Sequence, residues 1–406
     1  MAVGLEPAKE LKSIRGVRLG CAGLGNRATP RDDLTLIQIS DGSRVAATFT
    51  RNAFRAAPVT VAEAHLQSSP PSFLLINAGN ANAGTGRAGL SDALNCCNAV
   101  AAKTGCREES VLPFSTGVVG ERLAVECFPQ AIERAQSSLS ENGWLRAAGA
   151  IMTTDTVAKG ISVQFESGGE TCSVTGIAKG SGMIRPDMAT MLSFLATDAA
   201  VAQEPLTQCL RGVVDRTFNR ITVDGDTSTN DACVLIATGQ SGGGEIDSLK
   251  SEDGVRLFEA VETVCRFLAQ AIIRDGEGAT KFLTITASGG ASESECLAVA
   301  YTVAHSPLVK TAMFASDPNW GRILAAVGRA GLADFDLERV RISIGDVSVA
   351  EHGALAAGYR EQDGKRVMSE EEITVHISLE RGDCEASVWT CDLSHGYVTI
   401  NAEYRT

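Results

Sequence analysis

The sequence predicts a mixed α/β protein, and three observations lead to that class. Short apolar runs bounded by turn residues, at Leu34 to Ile39, Arg44 to Thr50 and Phe73 to Asn77, have the length and composition of strands. Leu257, Phe258, Val261, Val264, Cys265, Leu268, Ile272 and Ile273 recur at the period of a helix with one buried face. Further strand-like runs, Val340 to Ile344, Ile373 to Leu379, Ser387 to Leu393 and Tyr397 to Glu403, close the chain. At 406 residues the chain can bury a substantial core, as two domains or as one large domain with a lobe.

Composition excludes some partners. Lys and Arg total 36 against 49 Asp and Glu, a net charge of −13 with no local basic block, so nucleic acid and anionic membranes are poor partners. The twelve cysteines are scattered from Cys21 to Cys391, with one adjacent pair, Cys96-Cys97, no Cys-x-x-Cys and no His at ligand spacing. They read as reduced, small buried residues of a cytosolic protein rather than as a metal site. The first ten residues carry charges where a signal peptide needs an apolar core, and no run approaches membrane-spanning length.

In chain order, Leu34 to Ile39 and Arg44 to Thr50 nearly alternate apolar and polar residues around Asp41-Gly42-Ser43, which reads as a hairpin. Thr50 to Val59 is a loop-rich approach to a helix. The strand Phe73 to Asn77 runs into Ala78 to Gly89, where Gly84, Gly86 and Gly89 fit the G-x-G-x-x-G dinucleotide fingerprint ahead of a helix from about Ser91 to Thr104. The strand ends near Asn77 rather than against Gly84, and no acidic ribose anchor follows, so a wide loop whose side chains satisfy their own backbone is the favoured reading. Val111 to Gly120 is an apolar run stopped by Ser115-Thr116-Gly117. That stop offers a hydroxyl and an unhindered backbone N–H at one point, as an oxyanion requires, although an ordinary turn would look the same. After a helix around Cys127 to Gln136 and the segment Trp144 to Met152, Thr153-Thr154-Asp155-Thr156 reads as a cap in which Asp155 or Thr156 accepts from backbone N–H groups. Strands near Ser162 to Phe165 and Cys172 to Ile177 follow, the second delivering Lys179 to a glycine loop where it is better placed to meet a carboxylate than a solvated lysine is.

Farther on, Leu206, Leu210, Val213, Val214 and Phe218 make a helix that packs on a sheet. The acidic stretch Val223 to Asp231 precedes a strand, Cys233 to Ala237, and its Asp-x-Asp lacks the EF-hand spacing to a terminal Glu, so no metal is expected. Gly239-Gln240-Ser241-Gly242-Gly243 has the form of a G-x-S-x-G elbow but leads into Glu245 and Asp247 instead of a helix, and reads as a loose surface turn. Gly276 and Gly278 bracket Glu277 and free its backbone from helical geometry, so its carboxylate can be aimed inward. Asp317 to Arg322 precedes a helix through Val327, and Arg381-Gly382-Asp383 reads as the turn of a charged hairpin.

The stretch these elements serve is Lys179 to Asp198. Its first half is too glycine-rich for a regular element and its second half is densely apolar, so a buried segment begins at Ala189-Thr190. A threonine after a small residue at such a junction suits a chain that cuts itself to free an N-terminal threonine. That residue then carries a nucleophilic hydroxyl and an α-amine whose ordinary pKa, about 7.7–8.0, lies near neutrality. Two small residues packing at a loop-to-strand junction is the plainer alternative. The whole segment resembles the signature of the ornithine acetyltransferase (glutamate N-acetyltransferase) family. The resemblance runs from about Val45 to Thr406 and takes in Thr50 to Val59, Arg274 to Lys281, Asp317 to Arg322 and the last six residues.

The resemblance implies two β-sheets sandwiched between helix layers, with a smaller C-terminal α/β lobe over about 285–406. It implies self-cleavage between Ala189 and Thr190 into an α piece, 1–189, and a β piece, 190–406, which assemble as a heterotetramer of two α and two β chains. The implied reaction is acetyl transfer from N2-acetyl-L-ornithine to L-glutamate in arginine biosynthesis, with no cofactor or metal. Thr190 would be the nucleophile, with Thr116 and Gly117 stabilising the oxyanion. Thr153 or Thr154, Lys179, Thr190, Glu277, Asn401 and the terminal Thr406 would contact substrate, Lys179 and Asn401 at the shared α-carboxylate and Glu277 at the ornithine ammonium. Acetyl-CoA as a second donor stays open. The rival readings are a self-processing amidase or aminopeptidase with water as acceptor, and a small-molecule binding protein whose glycine loops are structural.

Overall fold

Leu192, Phe194 and Ala196 alternate with Ser193, Leu195 and Thr197 in β8 (Leu192–Thr197), and all six are buried, as befits a strand covered on both faces. The structure, a computed structural model, describes residues 2–25, 31–185 and 191–403. The chain forms two units, Pro7–Asn219 with Thr227–Ile272, and Met1–Glu6 with Arg220–Asp226 and Ile273–Thr406. In the larger unit β8 is the middle strand of a five-stranded sheet ordered β3 (Arg44–Phe49), β10 (Ala232–Ala237), β8, β7 (Glu170–Lys179) and β6 (Lys159–Ser167). A four-stranded sheet is ordered β1 (Val17–Ala22), β2 (Leu34–Ile39), β4 (Phe73–Asn80) and β5 (Val111–Val118).

The two sheets share one core. Leu192, Phe194, Val234 and Ile236 of the first pack with Ile37, Leu74, Ile76 and Phe114 of the second, and Phe114 meets Phe194 edge to face at 5.2 Å. Trp144 and its neighbours in α4 (Trp144–Ala150) fill the same core. On its other face the four-stranded sheet carries α1 (Ala57–Ser68), α2 (Gly86–Thr104) and α3 (Phe128–Ser137). α5 (Gln203–Arg216) packs on β3 and β10, and Val264 and Leu268 of α6 (Glu252–Arg274) lie against Gly176 of β7. Two sheets between helix layers is thus the architecture of this unit, as expected.

In the other unit a seven-stranded sheet is ordered β14 (Ala354–Leu355), β13 (Val347–Glu351), β12 (Arg341–Ile344), β15 (Glu372–Ser378), β11 (Phe282–Gly290), β16 (Cys384–Cys391) and β9 (Ile221–Thr222). Its core is shared with α7 (Glu293–Ala304), α8 (Pro307–Phe314), α9 (Trp320–Gly328) and α10 (Glu361–Met368). A last helix, α11 (His395–Ala402), ends the described chain. Among the described residues no helix is long and apolar enough to cross a membrane.

Three expectations fail. The strands on either side of Asp41-Gly42-Ser43 form, but β2 has β1 on one edge and β4 on the other, so the turn hands β3 to the second sheet, where it pairs with β10. The charged hairpin at Arg381 is likewise not a hairpin, because β11 lies between β15 and β16, parallel to the first and antiparallel to the second. The expected strand Tyr397 to Glu403 is α11. Ser394 stops the preceding strand and starts this helix by accepting from the Gly396 N–H at 3.0 Å.

Candidate active site

Thr116 and Gly117 lie at the end of β5, which runs parallel to β4 and reaches Val118 instead of turning at Ser115. There the register shifts, with Gly117 facing Gly79. Gly117 has φ +133°, and a β-carbon at this position would lie 2.2 Å from the Gly79 carbonyl carbon, so only glycine fits. Buried side chains brace the strand end. Asn230 Nδ2 donates to the carbonyls of Ala81 at 2.6 Å and Ser115 at 2.9 Å, and the Ser115 hydroxyl donates to Asn77 Oδ1 at 2.5 Å. Lys179 Nζ donates to Thr116 Oγ1 at 3.2 Å. A hydroxyl that accepts from an ammonium keeps its own proton for another acceptor and is polarised to give it, which is what stabilising an oxyanion demands.

Lys179 is the last residue of β7 and the register partner of Leu192 in β8, so it stands across from the strand that begins just after position 190. The loop beyond it is tied to the Thr153–Asp155 turn by one carboxylate. Asp155 Oδ1 accepts from Lys159 Nζ at 2.7 Å and from the Gly180 N–H at 2.7 Å, while Oδ2 accepts from the Thr153 N–H at 3.0 Å. Asp155 therefore caps no helix; it joins two loops and brings the Thr154 hydroxyl to within 2.6 Å of Ser181 Oγ. Burial alone would raise this carboxyl, but the charges of Lys159 and Lys179 and the hydrogen bonds from Lys159 and Thr153 outweigh it and hold Asp155 well below the usual carboxylate range. Asp231, just ahead of β10, is driven the other way. Burial pushes its carboxyl well up, the Ser228 hydrogen bond and the Lys179 charge offset only part of this, and its Oδ2 has no partner among the described residues.

The second unit holds a separate pair. Gly276 and Gly278 do flank Glu277 in the loop after α6, and Glu277 is buried, its Oε2 accepting from Asn401 Nδ2 of α11 at 2.8 Å. The Tyr397 hydroxyl donates to Asp224 Oδ2 at 3.3 Å, and burial, then the charges of Asp224 and Glu277, push that phenol well up. The structure thus gathers Thr116, Gly117, Thr153, Thr154 and Lys179 in one unit, and Glu277 with Asn401 in the other. Ala189, Thr190 and Thr406 lie outside the described residues.

Sequence reasoning missed Lys159 and Asn230. The Asp155-to-Lys159 spacing is that of a helical ion pair, yet the residues sit at a loop and a strand start, and nothing local marks Asn230 apart from its acidic surroundings. The fingerprint-like stretch is a shorter loop than expected, since β4 runs on to Asn80 and α2 begins at Gly86, but its side chains do satisfy its backbone: the Asn82 N–H donates to Asn80 Oδ1 at 2.8 Å, Asn82 Nδ2 donates to the Gly89 carbonyl at 2.9 Å and Thr85 Oγ1 donates to Asn82 Oδ1 at 2.8 Å. Ser241 is not on a loose surface turn. It is buried, and its N–H donates to the Asp198 carbonyl at 2.8 Å because the turn folds back on the end of β8.

Comparison with known proteins identifies the family of the chain. The sequence pattern of the ArgJ family matches residues 18–406. The arginine biosynthesis bifunctional protein ArgJ of Pseudomonas fluorescens (strain Pf0-1) is 53% identical over 406 residues, all of both chains. Its namesake in Psychrobacter arcticus is 50% identical over 407 residues, again covering 100% of each. Among solved structures, the arginine biosynthesis bifunctional protein argJ of Bacillus halodurans is 37% identical with a TM-score of 0.50, covering 52% of this chain and 99% of that one. This chain belongs to the ArgJ family.

Proposed function

We propose that this chain is a glutamate N-acetyltransferase of arginine biosynthesis, carrying the acetyl group of N2-acetyl-L-ornithine to L-glutamate through an ester on Thr190. The observation that carries the reading is the Lys179–Thr116–Gly117 arrangement, a polarised hydroxyl beside a glycine backbone across from the start of β8. Family membership and relatives named for arginine biosynthesis support it.

The chain first cuts itself. Thr190 Oγ attacks the Ala189 carbonyl, the acyl group moves from nitrogen to oxygen, and water opens the ester, leaving pieces 1–189 and 190–406 and a free α-amine on Thr190. The C-terminal lobe, about 285–406, stays with the second piece. The Bacillus halodurans chain supports this division, being matched almost end to end while spanning 52% of this chain, close to the 217 of 406 residues that a piece from 190 onward would hold. In turnover the neutral α-amine takes the Thr190 hydroxyl proton as Oγ attacks the acetyl carbonyl. Charge on the former carbonyl oxygen is met by Thr116 and Gly117, and collapse expels the α-amine of ornithine, which receives the proton. The α-amine of glutamate then attacks the ester and leaves with the acetyl group. Lys179 meets the α-carboxylate common to both amino acids. Glu277 meets the ornithine side-chain ammonium, and Asn401, Thr153 or Thr154 and Thr406 complete the contacts. The relatives are named bifunctional, which favours a second acetyl donor, acetyl-CoA, at the same nucleophile. The pieces assemble as a cytoplasmic heterotetramer of two α and two β chains, a stoichiometry that light scattering on the cleaved protein measures.

Acetylornithine supplied with and without glutamate tests the reading. Acetylglutamate should form only with both, and release of ornithine at an undiminished rate without glutamate would make the protein an amidase instead. Thr116→Ala should lower kcat by about 10²-fold or more with little change in KM, because the lost hydrogen bond forms only in the transition state. Steady-state kinetics check this, and a change confined to KM would remove Thr116 from the oxyanion site.

A further inference from the structure

Ser394 performs two tasks with one hydroxyl. As the N-cap of α11 it accepts from the Gly396 N–H at 3.0 Å, and it donates its own proton to the Gly278 carbonyl at 2.6 Å. At the same place the helix backbone rests on the loop. Gly278 has φ +71°, and a β-carbon there would lie 2.4 Å from the Tyr397 nitrogen, so helix and loop meet backbone to backbone. None of the residues of α11 is fully buried. Its placement therefore depends on these polar and backbone contacts, with the Phe314–His395 ring pair and the Tyr397–Asp224 hydrogen bond beside them, rather than on an apolar face.

The consequence falls on Asn401, one turn beyond Tyr397. Its amide nitrogen donates to Glu277 Oε2 at 2.8 Å and to the Tyr397 carbonyl at 3.0 Å. Both partners are acceptors, so both amide N–H groups are committed and the orientation of the amide is set; what it has left to offer a ligand is its carbonyl oxygen. Next to the Glu277 carboxylate, that oxygen leaves the two side chains with acceptors to offer and no donor of their own. Such a set suits an alkylammonium group better than a carboxylate, whereas the residue type alone suggested the shared α-carboxylate for Asn401.

We propose that Ser394 and Gly278 are positioning residues, which seat α11 on the 276–278 loop and so make Glu277 and Asn401 an acceptor-only pair that selects acetyl donors with a side-chain ammonium. The proposal rests on the reading of Glu277 and Asn401 as substrate contacts. It is tested by measuring acetyl transfer to glutamate from N2-acetyl-L-ornithine and from N2-acetyl-L-norvaline, the same donor without the side-chain ammonium, in the wild type and in Ser394→Ala, Ser394→Thr and Gly278→Ala. Ser394→Ala should raise the KM for acetylornithine about five- to tenfold, the effect of one lost hydrogen bond, with kcat and the acetylnorvaline KM within about twofold. Ser394→Thr should restore the preference, and Gly278→Ala should erode it further. Equal losses with both donors, or an unchanged preference in Ser394→Ala and Gly278→Ala, would overturn the proposal. Failure of the underlying reading has its own signature: a wild type that transfers no acetyl to glutamate, or that prefers neither donor.

Discussion

Asp155→Ala is expected to destabilise the protein by about 3–5 kcal/mol, because it leaves the ammonium of Lys159 buried without its counter-charge. Both side chains of the pair are inaccessible to solvent, and Asp155 is also the acceptor that joins the Thr153 and Gly180 backbones, so no water can take its place without opening both loops. The substitution should therefore lower the urea midpoint steeply and also weaken substrate binding, since Thr154 and Lys179 lose their common anchor. Asp155→Asn, closer in shape, is the variant to use if the alanine form does not accumulate. The pH dependence has a definite sign. The folded Asp155 carboxyl lies below its unfolded value of about 3.9, so the stability it contributes is complete above about pH 5 and is lost as the pH falls through the unfolded and then the folded value. The gap between wild type and Asp155→Asn should accordingly be widest near neutrality and shrink below about pH 4. A gap that widens on acidification would mean that the carboxylate does not carry the stability assigned to it.

Thr190→Ala is expected to stay uncut and to lose acetyl transfer by at least about 10⁴-fold, because one hydroxyl serves as nucleophile in both the cleavage and the transfer. Thr190→Ser keeps a hydroxyl but drops the methyl group that restricts its rotation, so it should cut slowly and retain part of the transfer. A denaturing gel of each variant reads the first effect and a glutamate acetylation assay the second. Full transfer by an uncut Thr190→Ala protein would require a different nucleophile.

What could be read in the sequence depended on whether the deciding force was local. α6 was legible because its apolar residues repeat at helical spacing and, the half-buried Phe258 apart, those same residues from Leu257 to Ile273 are buried. α11 was misread because Tyr397, Val398, Thr399 and Ile400 are strand formers, and what makes them helical is the Ser394 cap and the backbone of Gly278, more than a hundred residues away. β2 and β3 were identified as strands but not paired correctly, since the partner of β3 is β10, nearly two hundred residues later, while Asp41-Gly42 advertises a turn of any kind. β11 and α7 passed unread. The first ends in serine and glycines, and the second is apolar on most sides, with no period to show which face is inward.

At the site, the residues that touch substrate in the proposed reaction lie in short stretches of unusual composition, so resemblance could find them. The residues that hold those stretches in place could not be found that way. Asp155 looked like a cap and Asn230 like part of an acidic loop, and Lys159 lay ahead of the expected strand, because partners such as Gly180 and Ser115 are brought to Asp155 and Asn230 only by the sheets. The same holds for Asn401: the sequence names an amide, and only its two hydrogen bonds show which half of that amide remains for a ligand.

The most direct measurement of the central claim is the intact mass of the purified protein after brief incubation with N2-acetyl-L-ornithine alone. The account predicts two pieces, the second beginning at Thr190 and heavier by one acetyl group, which addition of glutamate removes with release of acetylglutamate. A single uncut chain, a new N-terminus elsewhere, or an acetyl group on any residue other than Thr190 would contradict it.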